Sequence, residues 1–345
     1  MRSVLKKGAS GILSVPFALV GLALFSAHTP SKVEYPIVNH TLKARTLNVG
    51  DTFKILSWNL QYCASRKHHF FYDGGFAVHV PREDVTETIN GIQNVLESER
   101  PEIAFLQEVD RDSARTARID QLRSLIEYRP DVSWSSAPYH RSPFVPAPFS
   151  SPLGKIDLHL ALASAFKLGS VERKQLALLD EPKIRQIFNL KRALLTAKIP
   201  IENSTRHLHI GQTHLSAFSF GDGTIKKQIA EITAWIDTLP KGEPWILAGD
   251  FNILPPNDTP SRLSESELYA DSEPPINLLI PKYKTLFKDL LAKEARTYFP
   301  FGATEPDRKI DYVFYGGSLE VVSQKVLLRN ESDHLPLVGE FKLLD

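Results

Sequence analysis

The sequence predicts an α/β fold, and three observations carry that prediction. An apolar run Phe53–Leu60, a helical pattern and a second apolar run Ile103–Asp110 follow one another as a strand–helix–strand unit. A second helical pattern, Ile225–Leu239, delivers the chain to Trp245–Ala248, an apolar run bounded by Pro244 and ended by Gly249. A chain of 345 residues with 41 basic and 40 acidic side chains and one cysteine is globular, with a core that needs no disulfide staples.

The same figures exclude several functions. A formal net charge of +1 argues against broad electrostatic capture of nucleic acid, leaving only a local basic groove. A single Cys63 excludes an internal disulfide and a thiolate metal cluster, and with no activating partner marked it reads as buried filler.

At the N-terminus, Arg2, Lys6 and Lys7 precede an uncharged stretch, Gly8–Ala27, long enough to cross a hydrocarbon core. It reads as a membrane anchor or a signal peptide (residues 1–27). Phe25, where a small residue is wanted, favours the uncleaved anchor, with cleavage and secretion as the alternative. Either way the remaining chain is exported. Residues 28–51 are polar and aperiodic and read as a tether; residues 52–345 are one domain.

Within that domain the first strand ends at Asn59. The irregular stretch 61–82 carries His68, His69 and Gly74-Gly75, a loop or a substrate-side rim. Val85, Ile89, Ile92, Val95 and Leu96 recur at helical spacing over Asp84–Glu99, with Asp84 and Glu87 in a capping pattern. The strand Ile103–Asp110 carries Glu108 at its end, a hard-cation ligand or a solvated strand terminus. A polar helix is expected over Arg111–Glu127, then a proline- and aromatic-rich loop or lid over Pro130–Pro152. Further strands follow at His159–Phe166, Arg192–Ile199 and His207–Leu215. Arg192 stands at the mouth of one, a phosphate clamp or a surface arginine. His214 ends another as a candidate general acid or phosphate-binding cation.

Beyond Ala248, Asp250 and Asn252 share a face if the chain stays extended; a simple Asx-type turn is the bland alternative. A long polar excursion runs over Pro255–Pro275, and Lys282–Leu291 reads as partly helical. Asp311 then sits inside an apolar strand and needs a buried partner, which Asp333-His334 supplies ahead of the closing strand Val338–Leu343.

Strand ends therefore carry Asn59, Glu108, His214, Asp250 with Asn252, Asp311, and Asp333 with His334, with no serine or cysteine elbow among them. An acid-rich set with two histidines suits phosphoester hydrolysis by water beside a hard cation. The ordered motifs Ser57-Trp58-Asn59-Leu60, Leu106-Gln107-Glu108-Val109, Thr213-His214-Leu215, Gly249-Asp250-Phe251-Asn252, Lys309-Ile310-Asp311-Tyr312 and Ser332-Asp333-His334-Leu335-Pro336 resemble the endonuclease/exonuclease/phosphatase superfamily across residues 52–345.

That resemblance implies a four-layer α/β sandwich, two packed mixed sheets between helices. It implies Mg2+, or Mn2+ in its place, on Glu108 with Asn59 and Asp333 nearby. Asp250 would position or deprotonate the attacking water, and Asn252 would hold the phosphate, where the strand-end reading already offers Asn59 and Arg192 as further phosphate contacts. His334 would face the phosphoryl group, oriented by Asp311, and His214 would aid phosphate binding or leaving-group protonation. The family's intermediate tyrosine or histidine stays open between Tyr139 and His159.

Export and tethering favour a phospholipid, inositide or other extracytoplasmic phosphoester. A secreted or tethered nuclease is the alternative, and a non-catalytic membrane-anchored binding module the third reading. No obligate protein partner is evident.

Overall fold

The computed structural model describes residues 28–127, 129–217, 222–263, 266–269 and 274–345. The expected anchor, residues 1–27, lies outside them. Among the described residues no helix is long and apolar enough to cross a membrane.

Two mixed sheets pack face to face. The first contains β1 (Val33–Glu34), β6 (Val171–Gln175), β7 (Ala193–Pro200), β8 (His207–His214), β9 (Trp245–Asp250), β11 (Asp311–Gly316) and β10 (Lys284–Thr285), in that spatial order. The second runs β12 (Leu319–Val326), β13 (Leu337–Leu343), β2 (Thr52–Asn59), β3 (Ile103–Asp110), β5 (Gly154–Ser164) and β4 (Ser133–Val145). Among the strands of the described residues, β8–β9 and β2–β3 are the parallel pairs, and each is joined by a helix, as parallel neighbours require. Those helices are α1 (Arg82–Glu99), between β2 and β3, and α4 (Thr224–Asp237), between β8 and β9; α2 (Gln121–Ile126) and α3 (Lys183–Phe188) are short.

Strand alternation sets the layers. On β9, Ile246 and Ala248 join the core between the sheets, whereas Trp245 and Leu247 face outward under α4. There they meet Ile225, Ile229, Ile232 and Ile236, each buried and each contributing about 1.5–3 kcal/mol. On the other side α1 buries Val85, Ile89, Ile92, Val95 and Leu96, the stripe its spacing predicts. The alternation of β9 aims its next inward residue, Asp250, into the gap between the sheets.

Several expected elements differ. The helix expected over 111–127 shrinks to α2, because Asp110 is buried and takes Arg115 in a bidentate pair, with the Thr116 hydroxyl donating to it as well. That pairing bends residues 111–120 around Asp110. The expected lid 130–152 is largely β4, a strand of 13 residues. Its prolines are tolerated because β4 lies at the sheet's edge, where a missing N–H breaks no ladder. Lys282–Leu291 forms only β10 and turns. Asp84 does not cap α1: Pro81 stands at that position, and the Asp84 carboxylate instead bonds His68 Nε2 at 2.9 Å.

Residues 28–51, expected as a tether, lie along the domain. β1 pairs with β6, Asn39 bridges Trp134, Arg45 bridges Phe166, and Leu47 is fully buried.

Candidate active site

Asp250, at the end of β9, is 1% exposed and collects partners from both sheets. Asn59 of β2 donates its Nδ2 to Asp250 Oδ2 at 3.0 Å, and the same oxygen lies 3.3 Å from His214 Nε2 and 3.6 Å from His334 Nε2. Burial, the largest effect, pushes the Asp250 carboxyl up to about 7, with nearby His334 pulling the other way. A carboxylate poised there suits a general base near neutral pH.

The backbone beside it is a turn rather than a continued strand. Asn252 has φ 53°, its N–H donates to Asp250 Oδ1 at 2.9 Å, and its Nδ2 donates to the Leu215 carbonyl at 3.0 Å. The shared face expected for Asp250 and Asn252 therefore does not form, and the bland turn reading describes the backbone. The sharp exit depends on Gly249, whose φ of 143° brings it so near β8 that an added Cβ would stand 2.0 Å from the Thr213 carbonyl.

His334 meets Asp311 through Nδ1, at 2.9 and 3.1 Å from the two carboxylate oxygens, so Nδ1 carries a proton and Nε2 faces Asp250. Burial acts to lower the pKa of this ring. Asp311 and Asp250 outweigh that and hold it well above the usual histidine range, as an imidazolium. Asp311 is fixed in turn: its N–H donates to Thr297 Oγ1 at 3.0 Å, and the buried Lys309 Nζ donates to its carbonyl at 2.9 Å.

His214 is the opposite case. Burial, then the charges of Arg192 and His334, pushes it well below the usual range, so the ring is neutral. With Nε2 toward Asp250, Nδ1 faces the Tyr139 hydroxyl at 3.2 Å. Tyr139 thus lies in the site. His159 does not: it is held outside, between Asp157 (2.9 Å) and Ser136 (3.2 Å). Sequence reasoning left that choice open because Tyr139 sits inside a stretch that reads as a loop.

Glu108 is delivered by a bulge. Gln107 Nε2 reaches Gln212 on the opposite sheet at 3.0 Å, so alternation alone would aim Glu108 the other way. The register shift between Leu106 and Val109, with φ 55° at Glu108, turns it back, and its Oε1 lies 3.6 Å from His214 Nδ1. Burial first, then the charge of Asp333, raises the pKa of its carboxyl. Burial likewise raises Asp333.

The donor chemistry fits a hard cation. Two carboxylates repel across the site, and the Asp333 carboxylate receives the Ser332 hydroxyl at 3.3 Å and a backbone N–H, with no cationic side chain bonded to it among the described residues. The tighter cluster of Asp250, Asp311 and His334 is instead accounted for by its own hydrogen bonds, because His334 Nδ1 is occupied by Asp311. Asn59, expected near the ion, uses its amide to hold Asp250 and its carbonyl to accept from Gln61 N–H at 3.0 Å. Arg192 is buried over the Tyr139 ring, and among the described residues its Nη1 has no hydrogen-bond partner, which leaves that nitrogen to an anionic oxygen. His68 and His69 contribute nothing here, being held by Asp84 and by the Asp73 carbonyl.

The model of the Endonuclease/Exonuclease/phosphatase family matches residues 56–334. No curated protein matches the chain. Among solved structures it is similar to an endonuclease/exonuclease/phosphatase from Beutenbergia cavernae, at 21% identity and a TM-score of 0.59 over 85% of this chain and 72% of that one. It is also similar to the human Nocturnin catalytic domain with bound sulfate, at 18% identity and a TM-score of 0.57 over 89% of this chain and 97% of that one. A humanised D. rerio TDP2 has 14% identity and a TM-score of 0.53 over 84% and 98%. At such identities these likenesses concern the fold.

Proposed function

The chain belongs to the endonuclease/exonuclease/phosphatase family, and from that membership we propose a divalent-metal-dependent phosphoesterase. It cleaves a phosphodiester or phosphomonoester by attack of water. Its substrate is a phospholipid or another extracytoplasmic phosphoester, and residues 8–27 tether it to the membrane. The observation that carries the reading is the pairing around Asp250: a buried carboxylate whose Oδ2 lies 3.6 Å from His334 Nε2, with Asp311 holding the same ring through Nδ1 at 2.9 Å.

Glu108 and Asp333 would hold Mg2+, which neutralises phosphate charge and polarises the phosphorus–oxygen bond. Asp250 accepts a proton from the attacking water. His334 donates Nε2–H to a phosphoryl oxygen, stabilising the charge that develops there. Arg192 Nη1 binds another phosphate oxygen, and Tyr139, set by neutral His214, lines the same wall.

The purified full chain should hydrolyse at least one of nucleic acid, sphingomyelin, phosphoinositide or a bis-aryl phosphate, and EDTA should abolish that turnover. Glu108→Ala and His334→Ala should each lose most of it. Absence of EDTA-sensitive hydrolysis across the panel, or full function in both variants, leaves the binding-module reading instead.

A further inference from the structure

We propose that three uncharged loops around the site mouth form a lipid-docking rim that presses the catalytic opening against a membrane surface. Phe76 is 97% exposed, Phe149 94% and Phe301 52%, values that a water-facing phenylalanine at a loop tip has no reason to hold. The three loops touch one another. Phe76 N–H bonds the His69 carbonyl at 3.0 Å, the His69 ring stacks on Phe301 at 4.5 Å, and His79 Nε2 meets the Pro152 carbonyl at 3.0 Å. The Phe301 loop borders the site directly: two residues before Phe301, the Phe299 N–H donates to the carbonyl of Asp333 at 2.6 Å.

Chemistry selects the occupant. Gly74–Val78, Ser142–Gly154 and Phe299–Ala303 contain no Asp, Glu, Lys or Arg. Aromatic tips without cations suit the interfacial layer of a bilayer, whereas a nucleic-acid surface needs cations for the backbone beside rings for the bases. Chain path selects the same face. His28, where the described residues begin, lines one cavity with Pro138 and Arg141 of β4. Phe144 lies three residues beyond Arg141 on that strand, about 10 Å further at the rise of a β-strand. A tether leaving from this point brings the aromatic loops, rather than the opposite pole, to the membrane.

The inference deepens the membrane-tethered reading, but its test needs no turnover, so a failed substrate panel leaves it decidable. Cys63 is buried, and single cysteines at exposed positions can be labelled selectively with a polarity-sensitive fluorophore. Full-length Phe76→Cys, Phe149→Cys and, as a control on exposed β12, Val322→Cys are labelled and reconstituted into phosphatidylcholine vesicles. Labels at 76 and 149 should shift to the blue, be quenched by nitroxide-bearing lipid, and lose iodide quenching several-fold relative to the label at 322. Iodide quenching at 76 and 149 equal to that at 322 overturns the proposal. So does protection of both labels by a single-stranded oligonucleotide but not by vesicles, which would make the rim a base-stacking surface.

Discussion

At the scale of single residues, the site depends on two histidines held in opposite charge states a few ångströms apart. His334 keeps its proton because Asp311 meets Nδ1 at 2.9 Å, and His214 lacks one because burial meets no carboxylate strong enough to offset it. Asp311→Asn tests whether the charge matters or only the packing. Asparagine preserves the shape but removes the charge opposing the burial of His334, so the imidazolium deprotonates at lower pH. Turnover should fall about a hundredfold or more, and the alkaline limb of the pH–rate profile should move to lower pH. A loss of turnover with an unmoved limb would reduce Asp311 to a packing residue. Glu108 shows where reading by residue type stops. Its carboxylate was legible as a cation ligand, but the backbone bulge that aims it is a non-local event between β3 and β5 that no local pattern announces.

At the scale of elements, β9 turns sequence into position by two devices: alternation sends Asp250 inward, and Gly249 lets the strand close on β8. The contact at Gly249 is backbone against backbone, so no side-chain rotation relieves an added methyl group. Gly249→Ala should therefore destabilise the fold by about 2–4 kcal/mol, read as a lowered midpoint in urea unfolding with an unchanged slope. A shift within about 0.5 kcal/mol would mean β8 and β9 separate easily. The elements legible in advance, β2, β3, β5, β7, β8, β9, β11, β13, α1 and α4, are those with a marked apolar run or helical period and substantial burial. The others obey tertiary facts. β4 carries prolines that its edge position excuses, and β12 is mostly exposed and polar and is held by pairing with β13. The helix expected after β3 gives way to the buried Asp110–Arg115 pair. The site was legible as a set of strand ends because an α/β sheet gathers such ends. The choice between Tyr139 and His159 stayed open because Tyr139 reaches the site from mid-strand, inside a stretch that reads as a loop.

At the scale of the molecule, the two sheets meet largely through apolar side chains, and apolar packing sets distance better than it sets register. Among the polar links that cross the interface are Asn59 to Asp250 and Tyr139 to His214 at the mouth and, deeper in, Gln107 Nε2 to Gln212 Oε1 at 3.0 Å, with Gln212 Nε2 passing to the Ala161 carbonyl at 2.7 Å. The deeper link is costly, since Gln107 Oε1 has no partner. Its retention is explained if it fixes the sliding position of the sheets and hence the spacing of Glu108 from Asp250. Gln107→Leu or Gln212→Leu alone strands a buried partner and should cost about 1–3 kcal/mol. The double variant removes both polar ends, so its cost should be less than the sum of the two. If the link sets register, the double variant recovers stability in urea unfolding while its turnover of a soluble bis-aryl phosphate stays about tenfold or more below wild type, because small misplacements of catalytic groups are expensive. Wild-type turnover in a double variant of restored stability would show instead that apolar packing aligns the two halves unaided.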